Sequence, residues 1–110
     1  MATAEFWQRG ESLDYTNGTQ ATIPANTIVT IGSRIGVTGC AIEPGNVGSL
    51  HVCGVFEMPK TGTAAISMGD VVYFDGNGIT GTSGSGTIEA GYAAADAAAA
   101  DTTILVKLRG

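Results

Sequence analysis

The chain is short of almost everything that reactive chemistry or nucleic-acid binding needs. Its 110 residues hold one histidine, two cysteines, one tryptophan and five basic side chains. Ten acidic residues leave a formal charge of −5, and no window concentrates Lys or Arg. Nucleic-acid affinity rests on neutralising phosphates, so no nucleic-acid partner is expected. No apolar run approaches the roughly 20 residues that cross a bilayer, and Met1-Ala-Thr-Ala-Glu5 lacks the basic and apolar regions of a secretory leader. The expectation is a chain made in the cytoplasm with no membrane partner. Cys40 and Cys53 are too few, and wrongly spaced, for a disulfide framework or a Cys-x-x-Cys site. Buried free thiols are expected.

What is present is glycine, seventeen of them, together with many Thr, Ile and Val. That composition describes short strands and tight turns. Two stretches echo each other. Ile23-Pro-Ala-Asn-Thr-Ile-Val-Thr-Ile31 leads through Gly32-Ser33 to Gly36-Val-Thr-Gly39, and Ile66-Ser-Met-Gly-Asp-Val-Val-Tyr-Phe74 leads through another Gly turn to Gly78-Ile-Thr-Gly81. Each reads as a β-hairpin. Two copies are too few for a solenoid, so the expectation is an all-β fold: one small single-domain β-barrel or sandwich with two pseudo-repeated hairpin units. Residues 21–110 form that domain, and residues 1–20, which lack sustained periodicity, form an N-terminal arm. Ser49 to Met58 is the longest strand candidate, with Leu50, Val52, Gly54, Phe56 and Met58 on one face and Pro59 ending the pairing. Asp75-Gly-Asn-Gly78 marks a hairpin turn, Gly81 to Gly86 a loop, and Ile88 to Ala94 and Thr102 to Leu108 two further strands. The Ala93 to Ala100 run is too short for a free-standing helix and reads as a strand end followed by a small-residue loop or one helical turn.

Candidate chemistry is sparse. Cys40, His51 and Cys53 supply three metal-ligating types, but their spacing matches no zinc module. A thiol nucleophile needs a base, and His51 sits two residues from Cys53, roughly 6.5 Å along a strand and beyond hydrogen-bond reach. Asp70 and Asp75 flank one strand at positions where Asp simply favours turns. Met58-Pro-Lys60 is superficially like the Met-Lys of biotin and lipoyl carriers, with Pro59 intervening. No enzyme activity, cofactor or metal is expected. Phe6 and Trp7 next to Arg9 are the residue types enriched in interface cores. They serve either as an anchor on a partner or as a lid folded back on the domain.

Gly54-Val-Phe-Glu-Met-Pro-Lys60, Gly69-Asp-Val-Val-Tyr-Phe-Asp75, Gly91-Tyr-Ala93 and Val106-Lys-Leu108 together resemble a family of phage and prophage capsid cement, or head decoration, proteins. Ile23-Pro-Ala-Asn-Thr-Ile-Val29 fits the family's entry to a strand, with Asn26 where Gly is usual; Asn tolerates the same left-handed backbone. The resemblance covers roughly residues 20 to 108. It implies a structural protein of the virion, bound as homotrimers outside the capsid to the expanded major capsid protein lattice. Phe6, Trp7 and Arg9 are then the capsid-interface candidates, read from the residues and not from the resemblance, with strand addition by the arm to a neighbour's sheet edge as the mode. The alternative is a small β-barrel carrier or ligand-binding module, with Lys60 as the modified lysine.

Overall fold

Gly32 and Ser33 make the shortest link between two strands, and the first sheet is built around it. In the computed structural model, which describes residues 2–108, β2 (Ile28–Ile31) and β3 (Arg34–Thr38) flank this turn as an antiparallel hairpin. Gly32 has a φ of 61°, a left-handed conformation that costs glycine nothing. β4 (Val47–His51) pairs with β3, and β1 (Ser12–Thr16) pairs with β4, giving the order β1-β4-β3-β2. The second sheet holds β5 (Val55–Pro59), β6 (Val71–Phe74), β7 (Ile79–Thr80), β8 (Ile88–Ala93) and β9 (Thr103–Leu108), in the order β5-β9-β8-β6-β7. Every pair of strands is antiparallel. Neither sheet closes on itself, so the barrel alternative gives way to two open sheets, and no helix forms among the described residues. Met1 and the last two positions of the expected 21–110 domain lie outside those residues.

Both hairpins expected from the repeat are present, β2–β3 and β6–β7. The register shows that the duplication runs deeper. Ile28 faces Val37 and Val29 faces Gly36 in the first sheet; Val71 faces Tyr92 and Val72 faces Gly91 in the second. Leu13 faces Leu50, and Phe56 faces Val106. Thus β1, β2, β3 and β4 correspond to β5, β6, β8 and β9, while β7 has no counterpart. The structural match of Gly36-Val37 is therefore Gly91-Tyr92. Residues 75–87, which insert β7 and a loop where the first half has only Gly32-Ser33, separate it from β6.

One turn recurs four times. Ile23 bridges Ile42, Ile66 bridges Ala97, and each of the four opens a turn that ends in Thr27, Asn46, Asp70 or Asp101. The Asp70 and Asp101 carboxylates accept the N–H of Ser67 and Ala98, and the Thr27 hydroxyl donates to the Pro24 carbonyl. Asn26 has a φ of 64° and is the one non-glycine with positive φ among the described residues, in line with its expected left-handed backbone; Gly45 and Gly69 hold the same place in their turns.

Three expectations need correction. The Ser49 to Met58 strand breaks into β4 and β5 at Gly54, whose φ of 119° no continuous strand accommodates. Pro59 does not end the pairing, because β5 is an edge strand where a missing N–H is harmless, and the Lys60 N–H still bonds the Thr102 carbonyl. Of the segment 1–20, residues 12 to 16 are β1, paired along their length with β4, and residues 2–11 and 17–20 stand outside the strands.

The main core joins Met58, Ile66, Val72, Phe74, Ile79, Ala93, Ile104, Val106 and Leu108 of the second half with Ile35 and Val37 of β3. Ile42 and Leu50 are as deeply buried but lie outside that cluster. They pack instead against glycine backbone: a Cβ on Gly36 would stand 2.7 Å from Leu50 Cγ, and one on Gly48 would strike the Ile42 side chain. The whole is a flattened body, 42 × 41 × 24 Å.

Candidate functional site

The arm is the first candidate. Residues 2–9 are exposed and without secondary structure, with Phe6 at 85% and Trp7 at 90% relative exposure. Trp7 is therefore no lid on its own domain. Arg9 approaches Glu11 at 4.0 Å, both largely exposed, an ion pair that water screens almost entirely. Two adjacent large aromatics held in water by nothing else are the clearest cost in the structure, and covering them on a partner removes it.

A second exposed surface crosses the outer face of the second sheet. Val71, Tyr92, Lys107 and Val55 lie opposite one another in successive strands, and Val71, Tyr92 and Val55 are exposed. The matching row of the first sheet, Ile28, Val37, His51 and Ser12, carries no exposed large hydrophobic.

The residues suggestive of chemistry are not brought together. Cys40 and Cys53 are free and, against expectation, exposed, because both sit in the loops that end β3 and β4. The His51 ring stacks at a tilt near Phe56, centroids 6.0 Å apart. No three of the His, Cys, Asp and Glu side chains among the described residues converge as a metal site. Asp70 caps its own turn. Asp75 Oδ2 accepts from the Thr61 hydroxyl at 2.6 Å, and Oδ1 accepts the N–H groups of Asn77 and Gly78. These bonds, the Thr61 hydroxyl foremost, hold its carboxyl below the ordinary value of 3.8. A shallow open groove beside Ile66, Asp70, Val71 and Gly81 is lined by no other titratable side chain.

Lys60 argues against a carrier. It is only 8% exposed, and its Nζ donates to the carbonyls of Gly62 and Ala99. A lysine that carries a prosthetic arm must present its amine to solvent and to a modifying enzyme. Sequence reasoning missed what this residue does. Its counterpart in the duplication is Asn17, fully buried, whose Nδ2 donates to the carbonyls of Ala21 and Ile42. Each half thus uses one buried polar side chain, just after its edge strand, to tie together its backbone crossings. The signal was the 43-residue offset, which maps Asn17 onto Lys60 as it maps Ile23 onto Ile66.

The described residues thus form two antiparallel sheets and an exposed aromatic arm, with no three His, Cys, Asp or Glu side chains gathered among them. A family model described as phage cement protein matches residues 7–108. The chain belongs to the phage cement protein family. This family is structural, not enzymatic, and its members serve the phage capsid. The match begins at Trp7 and so reaches further than the 20 to 108 span expected from motifs alone. No curated protein and no solved structure matched the chain.

Proposed function

We propose that this cement protein binds the outer surface of the expanded major capsid lattice, as a homotrimer, and stabilises that lattice. The observation that carries the reading is the family match over residues 7–108; the exposed arm with Phe6, Trp7 and Arg9 supplies the anchor. A ligand selective for one of two shell states stabilises that state by mass action, about 2.7 kcal/mol per site when present at 100 times its dissociation constant. The flat body suits a surface location, since it offers a broad face without projecting far from the shell.

The test mixes purified protein with expanded and unexpanded shells, pellets them and counts bound copies. Saturable binding to expanded shells alone is expected. Removing residues 2–11 should abolish it, and Trp7→Ala should weaken it roughly 30-fold, as for an interface hot spot. Deletion must stop there, because β1 and the buried Asn17 that follow belong to the fold. Equal binding to both shells, or none, defeats the reading.

A further inference from the structure

The two sheets expose four edge strands, β1, β2, β5 and β7, and three of them are protected. β1 carries Asp14, β5 carries Glu57 and Pro59, and β7 is only two residues long and already met on its outer side by residues 60–62, Lys60 bridging Ile79 and the Thr61 N–H donating to the Ile79 carbonyl. Charge, proline and brevity are the usual means of blocking unwanted strand addition. β2 has none of them, being Ile-Val-Thr-Ile with Thr30 exposed and the other three residues half-buried.

The duplication shows what such an edge takes. β6, the counterpart of β2, is not an edge, because β7 covers it: Tyr73 faces Thr80 and Phe74 faces Ile79. The Asp75 N–H bonds the Gly78 carbonyl, and alternation from that closing pair makes Tyr73 and Thr80 a hydrogen-bonded pair. Thr30 is the counterpart of Tyr73. In the first hairpin the turn at Gly32-Ser33 makes Ile31–Arg34 the closing pair, so the Thr30 N–H and C=O point away from β3, where β7 would lie. Thr30 is exposed, and among the described residues no strand lies beyond β2 in the sheet.

We infer that the vacant strand position beside β2 is filled by the arm of a second copy of this chain. The arm, residues 2–11, lies outside the sheets, and it leaves the fold at β1, on the opposite side of the sheet from β2. To reach β2 of its own chain it would first cross roughly 19 Å of sheet, more than half of its reach of roughly 33 Å when extended. Donor and acceptor are different surfaces, so the contact is heterologous, the kind that forms a ring where its rotation closes, as the proposed trimer requires. This deepens the proposed trimer and rests on that reading. Pairing uses the backbone of the arm and sends alternate side chains to opposite faces, so that Trp7 and Arg9 share the side opposite Phe6 and stay available to the shell.

The test uses full-length protein with Cys40→Ser and Cys53→Ser, adding Thr30→Cys in one preparation and a cysteine at each of residues 3 to 6 in turn in another. The preparations are mixed, free and on expanded shells, and oxidised; facing strand positions fall within disulfide reach. A disulfide between the two preparations is expected from at least one arm position. A chain carrying both cysteines should give a covalently closed ring, whereas an intrachain bridge, a bridge to the capsid protein, or no bridge at any position overturns the inference. Thr30→Pro removes the outward N–H while β2 keeps its bonds to β3, and it should weaken ring assembly about tenfold. Shell pelleting of the unsubstituted protein is scored separately. Pelleting without arm-to-β2 bridges sinks this inference and leaves the cement reading standing, while bridges without pelleting do the reverse.

Discussion

Leu50 and Val106 occupy the same place in the register of the two halves, facing Leu13 and Phe56 respectively, yet their surroundings differ. Val106 lies in a cluster that spans the second sheet and draws in β3. Leu50 lies outside that cluster and presses on the backbone of Gly36. The second half also covers its β6 edge with β7, while the first leaves β2 open and releases the arm. One half of the duplication carries most of the core cluster and a covered edge, and the other leaves β2 and the aromatic arm exposed. On the proposed reading that division serves attachment to a lattice, since strand ends and arms that pair with neighbours come from the less protected part of a fold.

The largest expected effect sets the two cores against each other. Leu108→Ala should lower unfolding stability by about 3 to 4 kcal/mol, because it opens a cavity in the shared cluster, and urea titration should show one shifted transition. Leu50→Ala should cost about 2 to 3 kcal/mol. In hydrogen exchange its loss should fall on β1 and β4 before β8 and β9. Equal protection losses across both sheets would break the comparison and make the two halves one cooperative unit.

Next in size are the two buried polar ties. Asn17→Ala removes one of the two donors to each of the Ala21 and Ile42 carbonyls, and with Oδ1 the acceptor of the Thr19 N–H and hydroxyl, for about 2 kcal/mol. Lys60→Met keeps the aliphatic stem packed and removes only the bonds to Gly62 and Ala99, so it should cost about 1 kcal/mol. Thermal denaturation of both variants checks the order. A larger loss at Lys60 would place the critical tie in the second half.

Much of this organisation was legible in the residues. Gly32-Ser33 and Asp75-Gly-Asn-Gly78 announced their hairpins because turn chemistry is local, and alternation in Thr102 to Leu108 announced β9. The polyalanine run resolved into the end of β8, a bridge at Ala97 and a turn, since no apolar stripe was there to bury a helix. β1 was missed because Ser-Leu-Asp-Tyr-Thr offers only Leu13 and Tyr15 to a partner, and an edge strand is defined by what pairs with it. The break at Gly54 was invisible for the opposite reason: the alternation runs through it, and only a backbone turn separates Leu50 from Met58. Residues 75–87 concealed β8 as the counterpart of β3, because Gly-Ile-Thr-Gly at 78 to 81 matches Gly-Val-Thr-Gly better than Gly91-Tyr-Ala-Ala does. As for the site, Phe6, Trp7 and Arg9 stood out as residue types; the unprotected β2 edge needed the sheet order.

The smallest effect tests the device that separates the two edges. Asp75 closes the β6–β7 hairpin, and the Thr61 hydroxyl and the N–H groups of Asn77 and Gly78 favour its charged form. Its folded pKa is therefore below the unfolded one, so its stabilisation is present in full above the ordinary value of 3.8 and is lost as pH falls through the folded value. The group is largely solvated, which keeps the contribution below about 1 kcal/mol. Urea midpoints followed from about pH 6 down to about pH 2.5 should fall less for Asp75→Asn than for the unsubstituted chain. Amides of β7 should gain exchange in acid before those of β9. If β7 loosens, β6 becomes an open edge like β2, and the unsubstituted protein should begin to associate through it at low pH while Asp75→Asn should show the same association already at neutral pH. Association that ignores both pH and Asp75 would mean that length alone, and not this turn, keeps the second sheet closed to strangers.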